Sequence, residues 1–253
     1  MKALLQLETL GKQLHPPDGS WLFRDISASI AEPAIVSILG KSGQGKSTLL
    51  RIIGRLTAAD QGSVLLEGRE MQQWTPEAWR MKISYVAQTP VMLPGSVEDN
   101  LRAASTLHQR PFDRKQASQW MEQIGLAGLD WGKPAEQLSG GEKQRLALVR
   151  TLLLQPAVLL LDEVTSSLDA GSKQAAQQLL TDLHASMGTT ILWVTHDLEE
   201  AKATGSRVWF LAEGRLLEDQ ECAVFFHAPA TEQAQLYLRS QPAAERKDEG
   251  ELL

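Results

Sequence analysis

Only one cysteine, Cys222, occurs in the 253 residues. A lone thiol cannot close an internal disulfide, which excludes a cross-linked secreted scaffold and suits a reducing compartment. Any run of the roughly 20 apolar residues that a membrane helix requires is also absent. The greasiest stretch, Ala157 to Leu161, stops at Asp162. The apolar patch at the N-terminus is broken by Gln6 and Glu8, short of a signal-peptide core. These absences predict a cytosolic chain that reaches a membrane only through a partner. Positive charge is in deficit, with a formal net charge of -6. No dense basic surface is therefore expected to displace counterions from phosphates, and no nucleic-acid partner is expected. No internal repeat is visible. The remainder, 43% hydrophobic and 22% charged, is ordinary globular composition, long enough for one large domain or two lobes.

Up to about Ile38 the chain carries strand-like pieces such as the alternating Ile26 to Ile30, with turns at Asp18-Gly19 and Glu32-Pro33. From Ile35 the pattern changes to short apolar runs and helices: Ile35 to Leu39, a helix from Lys46 to about Leu56, then Val158 to Leu161 and Ile191 to Val194. Strands apolar on both faces predict a parallel sheet covered by helices. Thr89 to Arg150 has helical signals and no buried strand. Ala117, Trp120, Met121 and Ile124 share a face there, and Gly125 can end the helix. A second stripe, Ala176, Leu179, Leu180, Leu183 and Met187, predicts a crossover helix ended by Gly188.

After the first of these strands comes Gly40-Lys41-Ser42-Gly43-Gln44-Gly45-Lys46-Ser47-Thr48, leading straight into a helix. This is a P-loop in its strand-to-helix context. Its glycines let backbone N–H groups converge on phosphate oxygens, and the helix start adds unpaired donors and a favourable dipole. Lys46 should reach the β and γ phosphates, and Ser47 should ligate Mg²⁺. Leu159-Leu160-Leu161-Asp162-Glu163 ends a buried strand in two carboxylates, at the edge where parallel sheets bind ligands. Asp162 is expected to serve the metal and Glu163 to act as general base towards water. The fold class is accordingly α/β: a P-loop NTPase core with a mostly parallel sheet, an N-terminal antiparallel β subdomain and an inserted helical subdomain. The expected boundaries are a core of residues 1–88 and 151–240, a helical subdomain of about 89–150, and a mobile tail of 241–253.

Ser139-Gly140-Gly141-Glu142-Lys143-Gln144-Arg145 has capping-box spacing at a second helix start whose first turn is bare backbone. With the P-loop, the chain owns two phosphate-ready helix ends. At this point it closely resembles the ABC ATPase family, up to about Leu238, and the Ser139 to Arg145 run resembles the family's signature motif. The resemblance implies ATP and Mg²⁺ as ligands and two nucleotides sandwiched between two subunits. Each nucleotide would be held by the P-loop of one copy and by Ser139, Gly140 and Gly141 of the other, in a homodimer or a heterodimer with a related ATPase. It further implies that Gln88 is the Q-loop glutamine that senses Mg²⁺ and water and joins the core to the helical subdomain. Asp169, in a D-loop that reads Ser166-Ser167-Leu168-Asp169, would couple the two sites, and His196 would be the switch histidine that contacts the γ-phosphate. The aromatic residue that usually stacks on adenine is missing from the Lys12 to Pro17 stretch, leaving His15 and Trp21 as candidates.

The family further implies transport through a separate integral membrane permease, whose coupling helix would enter the cleft near Gln88 and Val91 to Leu101. The chain would then sit peripherally on the inner face of the membrane. The alternative is a non-transport ABC ATPase of DNA repair or translation, though the long insertions, paired cassettes and basic surfaces usual there are not seen. A small-molecule P-loop kinase would leave the Ser139 helix unexplained. Ser84 to Pro90 and Ile191 to Asp197 resemble bacterial iron-export ATPases, whereas Phe225 to Pro229 resembles phosphate and polar amino-acid importers. Substrate and direction stay open.

Overall fold

In the computed structural model, which describes residues 3–15 and 19–240, two sheets share one apolar core with the helix that follows the P-loop. The expected mobile tail, 241–253, lies outside the described residues. In chain order the elements are β1 (Leu5–His15), β2 (Ser20–Ile30), β3 (Ile35–Leu39), α1 (Lys46–Ile53), β4 (Gln61–Leu66), β5 (Arg69–Glu70), α2 (Pro76–Lys82), β6 (Ile83–Val86), α3 (Val97–Leu107) and α4 (Arg114–Gln123). They continue with α5 (Gly140–Leu152), β7 (Val158–Asp162), α6 (Ala170–Met187), β8 (Thr190–Val194), α7 (Leu198–Thr204), β9 (Arg207–Ala212), β10 (Arg215–Glu221), α8 (Cys222–His227) and α9 (Glu232–Ser240).

The core sheet has the order β10-β9-β3-β8-β7-β6. β9, β3, β8, β7 and β6 run parallel, and β10 pairs with β9 antiparallel. Every residue of β3, β7 and β8 is buried, and alternation sorts their side chains into separate cores. Val36, Ile38, Val158, Leu160, Leu192 and Val194 face α1 and the antiparallel sheet. Leu159, Leu161, Ile191 and Trp193 share the opposite core with Trp120 and Met121 of α4 and Leu179 and Leu180 of α6. Burial on both faces explains why these runs are continuously apolar.

The antiparallel sheet, β2-β1-β4-β5, recruits β4 and β5 from beyond the P-loop helix. Sequence alone placed only the N-terminal section there. The helix expected to reach about Leu56 ends at Ile53, because Gly54 caps it and Arg55 turns the chain left-handed at φ 55°. Between residues 89 and 150 the described structure contains α3, α4 and most of α5, with only an isolated bridge between Ser96 and Pro134. Gly125, at φ 74°, lies just beyond α4, and Gly188, at φ 66°, caps α6. Among the described residues no helix is long and apolar enough to cross a membrane.

Candidate active site

The strand β3 delivers the chain into Gly40, whose φ of 146° and close approach to β9 exclude a side chain: an added Cβ would lie 2.2 Å from the carbonyl oxygen of Leu211. Gly45 closes the loop as the left-handed N-cap of α1 and contributes no side-chain cap, so the first turn keeps its N–H donors open. A Cβ at Gly45 would meet Phe23 at 2.7 Å. Lys41, Ser42 and Gly43 are exposed at the tip, while the Gln44 side chain accepts from the Gly214 N–H at 3.4 Å. Lys46 is buried, and its ammonium donates to the carbonyls of Gly40 at 2.8 Å and Lys41 at 2.9 Å. Burial lowers its pKa, opposed by the nearby carboxylates of Glu163 and Asp162. Thr48 is half-buried in the first turn of α1.

Ser47 Oγ donates to Asp162 Oδ1 at 2.7 Å, joining the P-loop helix to the end of β7. The other oxygen of Asp162 accepts from the Tyr85 hydroxyl at 2.7 Å, and Arg51 Nε lies 3.4 Å from that hydroxyl. Burial, first, and the Asp162 contacts raise the Tyr85 pKa to about 12, so the phenol stays a donor. Ser47 and Asp162 form a compact set of hard oxygens that suits Mg²⁺, which is commonly held by one or two protein oxygens together with substrate phosphates. Among the described residues no group of three or more acidic, His or Cys side chains could hold a metal by itself.

Glu163 follows directly and adopts φ 51°, in the left-handed region that a glutamate seldom occupies. Its backbone N–H bonds Val194 O at 3.0 Å, fixing the end of β7 against β8. Gln88 Nε2 donates to Glu163 Oε2 at 2.8 Å, and His196 Nε2 lies 2.5 Å from Oε1. Gln88, Asp162, Glu163, His196 and the P-loop residues Lys46 and Ser47 are thus brought together.

The Ser139 segment forms its own arrangement. Ser139 Oγ accepts from the Glu142 N–H at 3.2 Å, and the Glu142 carboxylate accepts from the Ser139 N–H at 2.7 Å, the capping box that the spacing predicts. A Cβ on Gly140 would meet nothing within 4 Å, and one on Gly141 only Leu168 at 3.6 Å. Farther along α5, Gln144 donates to Ala87 O at 3.1 Å, beside Gln88. Arg145 contacts Ser172 and lies 3.8 Å from Asp169. Asp169 is exposed and caps α6, with its carboxylate accepting from Ser172 N at 2.9 Å. Among the described residues no hydrogen bond connects Ser139, Gly140 or Gly141 to the P-loop of the same chain.

Sequence reasoning missed Tyr85 and the buried acid Glu200 on α7. Of the two adenine-stacking candidates, Trp21 covers Gly11 on the antiparallel sheet, and Leu22 and Phe23 are the neighbours of Gly45 instead. The side chain of His15 lies outside the described residues.

The model of the ABC transporter family matches residues 23–166. A putative ABC transporter ATP-binding protein of Bacillus subtilis, YjkB, is 39% identical over 223 residues, covering 86% of each chain. The probable iron export ATP-binding protein FetA of Escherichia coli is 36% identical over 197 residues, covering 78% of this chain and 86% of its own. Among solved structures, cbiO1 from Clostridium perfringens, part of the ABC transporter complex cbiONQ, superposes with a TM-score of 0.76 at 26% identity, covering 94% of this chain and 97% of that one. With a P-loop, an acid strand end and a capped glycine helix start in one α/β framework, the chain belongs to the ABC transporter family as an ATP-binding, ATP-hydrolysing subunit.

Proposed function

We propose that this subunit hydrolyses ATP at sites shared between two copies and passes the resulting motion to a separate membrane permease. The observation that carries the reading is the convergence of Gln88 and His196 on the two oxygens of Glu163, next to the Ser47–Asp162 contact. The P-loop amides and Lys46 bind the triphosphate, and Ser47, Asp162 and Gln88 hold Mg²⁺. That ion neutralises phosphate charge when bound. Glu163 takes the proton of the attacking water. As His196 turns to the γ-phosphate, it frees the carboxylate oxygen that accepts this proton.

Gly140 and Gly141 have room in their own chain for larger side chains. Their smallness therefore serves an approach from outside, which a nucleotide on the P-loop of a second copy provides, together with the coupling contact of Asp169. Residues 89–150 serve as the moving body. Asn100 and Arg150 pin its leading segment: Asn100 bonds Leu93 and Ser96 at 2.9–3.0 Å, and Arg150 donates to Val91 O at 2.8 Å. Between α3 and α5 lies a cavity of about 660 Å³ lined by Leu93, Arg102, Leu107, Arg150 and Leu154. Leu93 and Leu107 are exposed there. This groove suits an apolar cytoplasmic helix of the permease, and docking there would hold the subunit at the inner face of the membrane. Selectivity for the cargo belongs to the permease.

The shared site is tested by mixing Ser139→Arg subunits with Lys46→Ala subunits. A heterodimer keeps one composite site whole, so partial ATPase activity returns where each variant alone is inactive. No recovery, with heterodimers verified, overturns the sharing. Capture of a hydrophobic integral protein on the purified subunit from membranes tests the transport role.

A further inference from the structure

Glu200 sits in the first turn of α7 with its side chain fully enclosed, at 0% exposure. A buried carboxylate is costly unless donors surround it, and an apolar residue would fill such a place at least as well if packing were all that mattered. Here the donors are complete. Oε1 accepts from the Thr165 hydroxyl at 2.7 Å and from Gln177 Nε2 at 3.1 Å, with the Lys173 ammonium 3.9 Å away. Oε2 accepts from the Thr195 hydroxyl at 2.5 Å.

The positions of those partners give the group its meaning. Thr165 is two residues past Glu163, and Thr195 immediately precedes His196. The Thr195 hydroxyl also accepts from the Asp197 N–H at 3.1 Å, and the Asp197 carboxylate pairs with Lys173. Both chain neighbours of His196 are therefore tethered, and one side chain spans the ends of β7 and β8.

We propose that Glu200 is a positioning residue for hydrolysis, holding Glu163 and His196 in register through Thr165 and Thr195. The proposal rests on the reading of Glu163 as the base and His196 as its γ-phosphate-sensing partner. It requires the carboxylate specifically. An amide that turns its NH2 to the Oε1 position sets a donor against Gln177 Nε2, and one that turns it to the Oε2 position takes away the acceptor of the Thr195 proton, so either orientation breaks a bond that the carboxylate makes.

The test compares Glu200→Gln with the native full-length chain in ATP turnover, in affinity for a fluorescent ATP analogue, and in fraction folded at the assay temperature. The expected result is a fall in kcat of about 10- to 100-fold, the usual scale for groups that orient catalytic ones, with affinity and folding unchanged. Thr195→Val should lower kcat similarly, and the double variant should lose much less than the product of the two losses. A native kcat in Glu200→Gln, or a fall in affinity that accounts for the whole loss, overturns the proposal. If Glu200→Gln does not fold, Thr165→Val and Thr195→Val are judged by the same measurements. Glu163→Gln is run alongside. Its inactivity with native kcat in Glu200→Gln defeats only this inference, whereas full activity in Glu163→Gln defeats the reading beneath it.

Discussion

His196 Nε2 stands 2.5 Å from Glu163 Oε1, pairing a residue just past β7 with one just past β8. The contact is held from below by the bond of the Glu163 N–H to Val194 O, and it persists although Glu163 occupies a left-handed conformation that costs about 1–2 kcal/mol. Such strain survives where surrounding bonds over-determine it.

Replacing Glu163 by Gln keeps the size of the side chain and a partner for Gln88, but removes the proton acceptor. Nucleotide binding should persist while turnover falls by about 10²- to 10⁴-fold. Phosphate release measured beside nucleotide affinity decides it, and undiminished release would place the base elsewhere.

Gly140 stands alone in open space within its own chain. Gly140→Ala should therefore leave the fold intact or raise its stability by up to about 1 kcal/mol, since glycine is a poor helix residue. Gly141→Arg should also fold but lose turnover, because in the proposed shared site the bulk would enter the space of the opposing nucleotide. Denaturant unfolding and ATPase assays on the same samples separate the two effects; a destabilised Gly140→Ala would mean that the glycine serves its own chain.

Tyr85 donates to Asp162, and with a pKa near 12 it keeps its proton at any working pH. Tyr85→Phe removes that donor while sparing Ser47. The Mg²⁺ concentration for half-maximal turnover should rise about 10-fold, as for other groups that orient a metal ligand. An unchanged Mg²⁺ dependence would make the hydroxyl a packing feature only.

Cys222 is buried, and its thiol donates to Ala201 O at 3.4 Å. Burial pushes its pKa above the ordinary thiol range, opposed by Lys202. Below the raised pKa the group stays a thiol, the unreactive form. Alkylation at pH 8 should be slow in the native protein and fast after unfolding in denaturant; rapid native labelling would show that the α7–α8 contact opens.

Much of this architecture was legible in one dimension because its signals are local. The P-loop, the Leu159 to Glu163 strand end, the Ser139–Glu142 cap and the Gly188 stop each depend on residues within a few positions, where backbone geometry leaves few choices. Glu200, Tyr85 and the pairing of β4 with β1 were hidden for the opposite reason. Glu200 reads as one more acid in the first turn of a helix, and two of the donors that make its burial possible, Thr165 and Gln177, lie 35 and 23 residues away.

By itself the order of residues determined which helix starts would be open to anions, which strands would be buried on both faces, and which side chains could handle protons and metal. Tertiary structure alone decided that Gln88 and His196 share one carboxylate and that Gly140 has no use for its smallness within the chain. The physical reason is that contacts between strand ends depend on sheet order, here β3-β8-β7-β6, and no local periodicity encodes that order.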